Sequence, residues 1–213
     1  SSYVLLESEN KTGWPFATPY NAAATEPDQK FGDTPYDRGG SPDPYFHHGF
    51  DFGSAIYGAG STIKAITSGE VIYTGYYDGL YDVIVVKVPD GNEIIYQEFG
   101  TSASDIQVKV GEEVSVGQNI GKMTRDHLHI SICTSGDWKT ATANDSFNPK
   151  GPWLNPITYI EDGLAKRASL MAPVFVAPEA QVLSPRASAT NELNESTEAG
   201  PSTQTSTQST NDQ

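Results

Sequence analysis

Between residues 50 and 135 the chain repeats one pattern: apolar/polar alternations of four to seven residues, each cut off by glycine, serine or a Pro-Asp-Gly turn. A period of two places successive side chains on opposite faces, as a pleated strand requires and a helix forbids. Thr62-Ile-Lys-Ala-Ile-Thr67 meets Ser68-Gly69 and is followed by Glu70-Val-Ile-Tyr-Thr74, which predicts two strands joined by a tight turn. Asp82-Val-Ile-Val-Val-Lys-Val88 runs into Pro89-Asp-Gly-Asn92 and then Glu93-Ile-Ile-Tyr96. Proline presets φ there, and glycine takes the left-handed position. From Val108 to Gly121 single apolar residues alternate with recurring glycines, as in short strands turning corners. His127-Leu-His-Ile-Ser-Ile-Cys133 alternates again. Several short strands at near-regular spacing predict an all-β fold, an antiparallel sheet in a partly open barrel or sandwich. The first 45 residues read as long loops, with Trp14-Pro15-Phe16 as an apolar anchor.

The pattern stops near the C-terminus. The 36 residues from Pro178 to Gln213 hold six Ser, six Thr, four Gln and no aromatic residue. Such a segment buries too little apolar surface to offset its ordering entropy. The expected organisation is therefore one folded unit over residues 1–163 and a disordered Ser/Thr-rich linker or tail over 164–213. The apolar stretch Leu170-Met-Ala-Pro-Val-Phe-Val176 fits either side of that boundary. The chain starts at Ser1 with no Met and no apolar signal core, which reads as a processed product. A linker of this kind normally joins two modules, so a further module beyond Gln213 is an open expectation.

Charge excludes several partners. The net charge is -14, and residues 1–160 alone carry 20 acidic against 10 basic side chains. Phosphate backbones and anionic membrane surfaces would repel such a chain, so neither nucleic acid nor a membrane is an expected partner. No apolar run is long enough to span a bilayer. The single cysteine, Cys133, rules out an internal disulfide and a Cys-rich zinc module, and reads as a small buried apolar residue.

All four histidines fall in two motifs, His47-His48-Gly49-Phe50-Asp51 and His127-Leu128-His129. Imidazole nitrogen and carboxylate oxygen are standard zinc ligands, and a catalytic site uses three of them plus water. On a strand, residues i and i+2 share a face roughly 7 Å apart, so His127 and His129 look into one cleft. His47 and Asp51 lie four apart across a glycine, where a bent loop could converge both on one ion. The plainer reading of an isolated His-x-His on a strand is structural, and His48 is expected to be solvated. No His-Glu-x-x-His motif occurs, so the helix-based zinc proteases are excluded. Spacing alone does not name a substrate.

At these residues the chain resembles the lysostaphin/LytM-type family of zinc metallo-endopeptidases, which cut peptide bonds in bacterial peptidoglycan. His47-His-Gly-Phe-Asp51, Ile63-Lys-Ala-Ile-Thr-Ser-Gly-Glu-Val71, the Gly-punctuated Val108–Gly121 and His127-Leu-His129 match its motifs in order, within a resemblance spanning roughly residues 14–160. The resemblance implies the family's LytM-type fold, with residues 1–163 as the catalytic domain. It implies one Zn2+ held by His47, Asp51 and His129, with His127 beside it near the water. The family usually has another histidine at the third position of a Tyr-x-His segment; here that segment reads Tyr96-Gln97-Glu98. Glu98 is then expected either to accept a proton from the attacking water or to orient His127, a solvated strand residue being the plain alternative. Only Lys122 to Asp126 separate Gly121 from His127, a shorter loop than the family often has.

The implied activity is hydrolysis of amide bonds in the peptide stems or cross-bridges of peptidoglycan, by a secreted bacteriolytic monomer or one carried on a phage particle. Tyr45, Tyr96 and Trp153 are expected along the substrate groove, plain packing being the alternative for Tyr45 and Trp153. Two other readings stay open: a LytM-type module with altered catalysis that binds cell wall or activates another hydrolase, and a zinc hydrolase unrelated to walls.

Overall fold

The strand-forming residues assemble around one antiparallel sheet. The computed structural model describes residues 12–36 and 45–171. Its seven-stranded sheet is built on β5 (Gly69–Tyr77), β6 (Tyr81–Lys87), β7 (Glu93–Gln97) and β10 (His127–Cys133), which lie side by side in the order β10-β7-β6-β5. Strand β11 (Trp153–Leu154) and strand β3 (Gly49–Gly53) both pair with β10, and β8 (Glu113–Val114) pairs with β5. Two small ribbons flank it: β1 (Gly32–Asp33) with β2 (Phe46–His47), and β4 (Thr62–Lys64) with β9 (Asn119–Lys122). The all-β, antiparallel, partly open architecture expected from the alternation is the one observed.

Both faces of the central sheet are covered. Val83, Ile84, Val85 and Val86 are all fully buried. Ile84 and Val86 join Ile94, Tyr96, Ile130 and Ile132 in one apolar cluster, while Val83 and Val85 join Ile95, Cys133, Trp138 and Trp153 in the other. This explains why β6 reads as a continuous apolar run. Cys133 is buried, as expected of a small apolar residue. The β6–β7 turn uses its predicted chemistry: Gly91 has φ 94, and Asn92 N–H donates to Asp90 Oδ1 at 2.8 Å.

Three features differ from the sequence reading. Residues 62–67 do not form a hairpin with 70–74; β4 pairs with β9 instead. The connecting backbone follows the same partner, with Ala65 N–H donating to the Gln118 carbonyl at 2.8 Å. At Gly69 the chain presses against the Lys87 carbonyl, where a Cβ would collide. The alternation holds on both sides, but it serves a two-stranded ribbon in β4 and the seven-stranded sheet in β5.

Helices are a second difference. Beyond a single turn, α1 (Ser54–Tyr57), there are α2 (Trp138–Asp145) and α3 (Pro156–Met171). Helix α2 is capped by Asp137, whose side chain accepts from Thr140 N–H at 3.2 Å, and is tied to the sheet by Trp138 N–H donating to Glu93 Oε1 at 3.1 Å. Helix α3 starts at a proline, with Asn155 Oδ1 accepting from Ile157 N–H at 3.0 Å. Its Ile157 and Ile160 enter the core, with Leu164 packed against it. That i, i+3, i+7 stripe was legible in the sequence. The helix continues past residue 163; residues 172–213, including the Ser/Thr-rich segment, lie outside the described residues.

Third, the N-terminal loops are more embedded than an anchor alone would need. Phe16 is buried among Phe52 and Tyr57, and Trp14 stacks on Tyr20 at 5.4 Å. Thr12 Oγ1 donates to the Ile160 carbonyl at 2.6 Å, tying the start of the described chain to α3.

Candidate metal centre

Pairing of β3 with β10 builds the site. Its register places Asp51 directly opposite His129 and Gly53 opposite His127, so the two motifs meet across one pair of strands. Directly opposed residues share a face, as do residues two or four apart along a strand. His47 and Asp51 therefore converge along extended backbone, not through a bent loop.

The three expected ligands come together. One ligand atom from each of His47, Asp51 and His129 lies within 4.8 Å of the others. Asp51 Oδ1 is 2.8 Å from His129 Nδ1 and 3.5 Å from His47 Nε2. His47 Nδ1 lies 2.9 Å from the Lys30 carbonyl, which can only accept, so that nitrogen carries a proton and Nε2 is the atom that faces Asp51. A backbone carbonyl on the far nitrogen is the usual way a ligand imidazole is held in orientation. His129 is buried, and its Nε2 has no hydrogen-bond partner. Two imidazoles and a carboxylate, almost dry and mutually aimed, fit a divalent ion of zinc's preferences. Burial alone would push the Asp51 carboxyl up. Hydrogen bonds from His129 and His47 outweigh it and hold the group well below the usual carboxylate range, so it remains an anion.

Gly49 completes the cradle. A Cβ there would run into His129 Nε2 and the Ile130 carbonyl. The glycine of the first motif is thus a steric requirement of the β3–β10 contact.

His48 is not solvated. It is buried, with its ring 4.7 Å from that of His129 and 4.6 Å from that of Trp153. Burial, followed by the nearby His129 and His47, pushes its pKa well below the ordinary histidine value, so it stays neutral. Its role is to back His129 with an aromatic plate.

His127 and Glu98 form a second unit beside the first. His127 Nε2 is 2.8 Å from Glu98 Oε2, and His127 Nδ1 is 2.9 Å from Asp126 Oδ1. Burial lowers the imidazole's pKa, but the Glu98 hydrogen bond and the charges of Asp51 and Glu98 raise it more, to about 9. Glu98 is correspondingly lowered: burial works against its charge, and the His127 hydrogen bond overrides that. Backbone geometry aims the carboxylate. Glu98 has φ 66, a left-handed conformation uncommon for a side-chain-bearing residue. Its N–H donates to the Leu80 carbonyl at 2.8 Å, and its carbonyl accepts from Arg125 Nη1 at 3.1 Å. The Arg125 guanidinium lies 3.6 Å over the ring of Tyr81, itself at φ 59. Sequence reasoning did not find this Arg125–Tyr81 clamp; no local signal marks a long-range stack.

The three expected groove residues are not on a groove surface. Tyr96 is fully buried, and its hydroxyl accepts from Ile66 N–H at 2.9 Å, so it belongs to the core. Tyr45 is 1% exposed, edge-on to His47 and Phe147. Trp153 is 8% exposed; its Nε1 donates to the Asp145 carbonyl, and its ring supports His48. Tyr45 packs against His47 and Trp153 against His48, both away from the surface.

The sequence profile of peptidase family M23 matches residues 45–141. The crystal structure of cbpa from L. salivarius REN is similar over 74% of this chain and 99% of its own, at 34% identity and a TM-score of 0.65. The catalytic domain of the antimicrobial peptidase lysostaphin from Staphylococcus simulans is similar over 62% of this chain and 89% of its own, at 25% identity and a TM-score of 0.44. An uncharacterized protein of Haemophilus influenzae is 36% identical over 84 residues, 37% of this chain; the match spans only 20% of that relative's length.

Proposed function

The chain belongs to peptidase family M23, and from that premise we propose that it is a zinc-dependent endopeptidase hydrolysing amide bonds in the peptide stems or cross-bridges of bacterial peptidoglycan. The observation that carries the reading is the convergence of His47, Asp51 and His129 beside the hydrogen-bonded pair His127–Glu98. Zinc, when held by the first three, would lower the pKa of a bound water toward about 7 and polarise the scissile carbonyl. The chain's own residues do the rest. Glu98, kept ionised, accepts the proton of the attacking water. His127, protonated at neutral pH and pinned through Nδ1 by Asp126, stabilises the developing oxyanion and passes a proton to the leaving amine nitrogen. The amide C–N bond breaks and a C–O bond forms; one water hydrogen stays on the carboxyl product, and the proton taken by Glu98 crosses its hydrogen bond to replace the one His127 gave the amine.

A secreted bacteriolytic role, outside the cell or on a phage particle, is part of this proposal. Its support is the further resemblance of Gly49–Gly58, Ile95–Phe99 and the Trp153–Pro156 segment to enterolysin A, a secreted bacteriolytic enzyme. No helix among the described residues is long and apolar enough to cross a membrane. Action as a monomer with peptidoglycan as its partner belongs to the same reading.

Metal analysis combined with a turbidity assay on purified Gram-positive walls tests it. One tightly held zinc per chain and lysis abolished by chelator and by His129→Ala are expected. Lysis that survives complete zinc removal and His129→Ala would sink the reading. Glu98, standing where the resemblance implies a histidine, favours a second reading: a module of altered catalysis that binds walls. It is recognised by wall sedimentation with zinc bound and no released peptides.

A further inference from the structure

Asp51 belongs to two convergent ligand sets at once. Besides His47, Asp51 and His129, the atoms of Asp51, Glu98 and His127 also lie within 4.8 Å of one another. His127 Nε2 is 2.8 Å from Glu98 Oε2 and 4.0 Å from Asp51 Oδ1. The other ring nitrogen, Nδ1, is 2.9 Å from Asp126 Oδ1 and must carry its proton, because a carboxylate only accepts. That is how a metal-binding imidazole is oriented from behind, and the Lys30 carbonyl does the same for His47. In the neutral ring so oriented, Nε2 would be a lone pair aimed at two carboxylate oxygens. Three acceptor atoms from three separate segments then share one small volume, and something positive has to lie between them. A proton on Nε2 is one solution. A divalent ion is the other, and it cancels the two carboxylate charges fully where a proton cancels one.

We propose that Asp51, Glu98 and His127 form a second divalent-cation site, sharing Asp51 with the first. One nitrogen and two oxygens suit zinc or manganese. The site is weaker than the first. Its ion displaces the His127–Glu98 hydrogen bond and lies beside another cation that draws on the same carboxylate. The ion and the proton compete for His127 Nε2, so filling the site removes both proton-handling groups assigned above; this consequence rests on the proposed function, and the site itself does not. Glu98 is the residue that creates it, since a histidine in its place would remove one of the two carboxylates.

The test is zinc stoichiometry of the full chain, by equilibrium dialysis against rising zinc chloride and elemental analysis, repeated with cobalt read by its visible absorption. Wild-type protein is expected to bind two ions in separable phases. Glu98→Gln and His127→Ala are each expected to lose the weaker phase and keep one ion, circular dichroism confirming that both variants fold. One ion in the wild type at saturation, or a weaker phase that persists in both variants, overturns the second site and leaves the first intact. No bound ion in the wild type overturns both this inference and the proposed function.

Discussion

Glu98 occupies the position where the resemblance leads one to expect histidine, yet it keeps a hydrogen bond of 2.8 Å to His127. Both alternatives read from the sequence, proton acceptor and orienter of His127, need that contact. Acid–base groups typically contribute about 10²–10⁴ in rate, so Glu98→Gln should lower the turnover of wall peptide by at least about 10²-fold. The ion held by His47, Asp51 and His129 should stay in place. Steady-state kinetics on a defined muropeptide, with zinc analysis of the same sample, checks this; wild-type turnover in Glu98→Gln would remove Glu98 from the proposed chemistry. Residue identity alone marked His47, Asp51, His127 and His129, because all the imidazoles of the chain sit in two short motifs. It misjudged His48, Tyr45, Tyr96 and Trp153, because burial is a property of neighbours that arrive from distant segments. An aromatic next to a ligand motif can line a cleft or pack behind it, and only the finished packing decides.

At the scale of elements, the β3–β10 pair is the site's foundation, and Gly49 permits its close approach. Gly49→Ala places a methyl group against His129 Nε2 and the Ile130 carbonyl. We expect zinc affinity to fall roughly 10–100-fold, the range seen when supports of metal ligands are removed. Competition with a chromophoric chelator measures it, and an unchanged dissociation constant would show that the strands move apart without cost. A second element-scale device links β6 to the 3-10 turn Ala103–Asp105. Asp82 is buried beside Asp105, and a Cβ on Gly100 would strike both carboxylates. Burial, then the hydrogen bond to Asp105 and its charge, raise the Asp82 carboxyl to about 6. The folded state therefore binds this proton more tightly than the unfolded chain. The sign follows: the contribution is favourable at low pH and is lost as pH rises from about 4 to about 6. Melting curves should show wild type losing a few degrees over that window relative to Asp82→Asn, at roughly 2–4 °C per kcal/mol for a chain of this size. Parallel pH profiles would exclude the shared-proton arrangement. Strand positions were legible because alternation survives in each segment, whereas partners were not. The hairpin expected across Ser68-Gly69 fails because β4 finds β9 more than fifty residues away.

For the whole molecule, charge is the dominant long-range property. Residues 1–160 carry 20 acidic and 10 basic side chains, and bacterial walls carry anionic polymers. Repulsion between them is screened over about 10 Å at 0.1 M salt. Lysis of whole walls should therefore rise with ionic strength, while cleavage of a small neutral muropeptide should not; equal wall lysis at all salts would count against repulsion. Sequence by itself determined the fold class, the acidity, the two histidine motifs and the glutamate at position 98, since these are set by local periodicity and residue identity. Tertiary structure decided which strands pair, that Asp51 serves two sets of neighbours, and that Arg125 and Tyr81 hold Glu98 in place. Those outcomes depend on distances between segments far apart in the chain, and no local pattern encodes such distances.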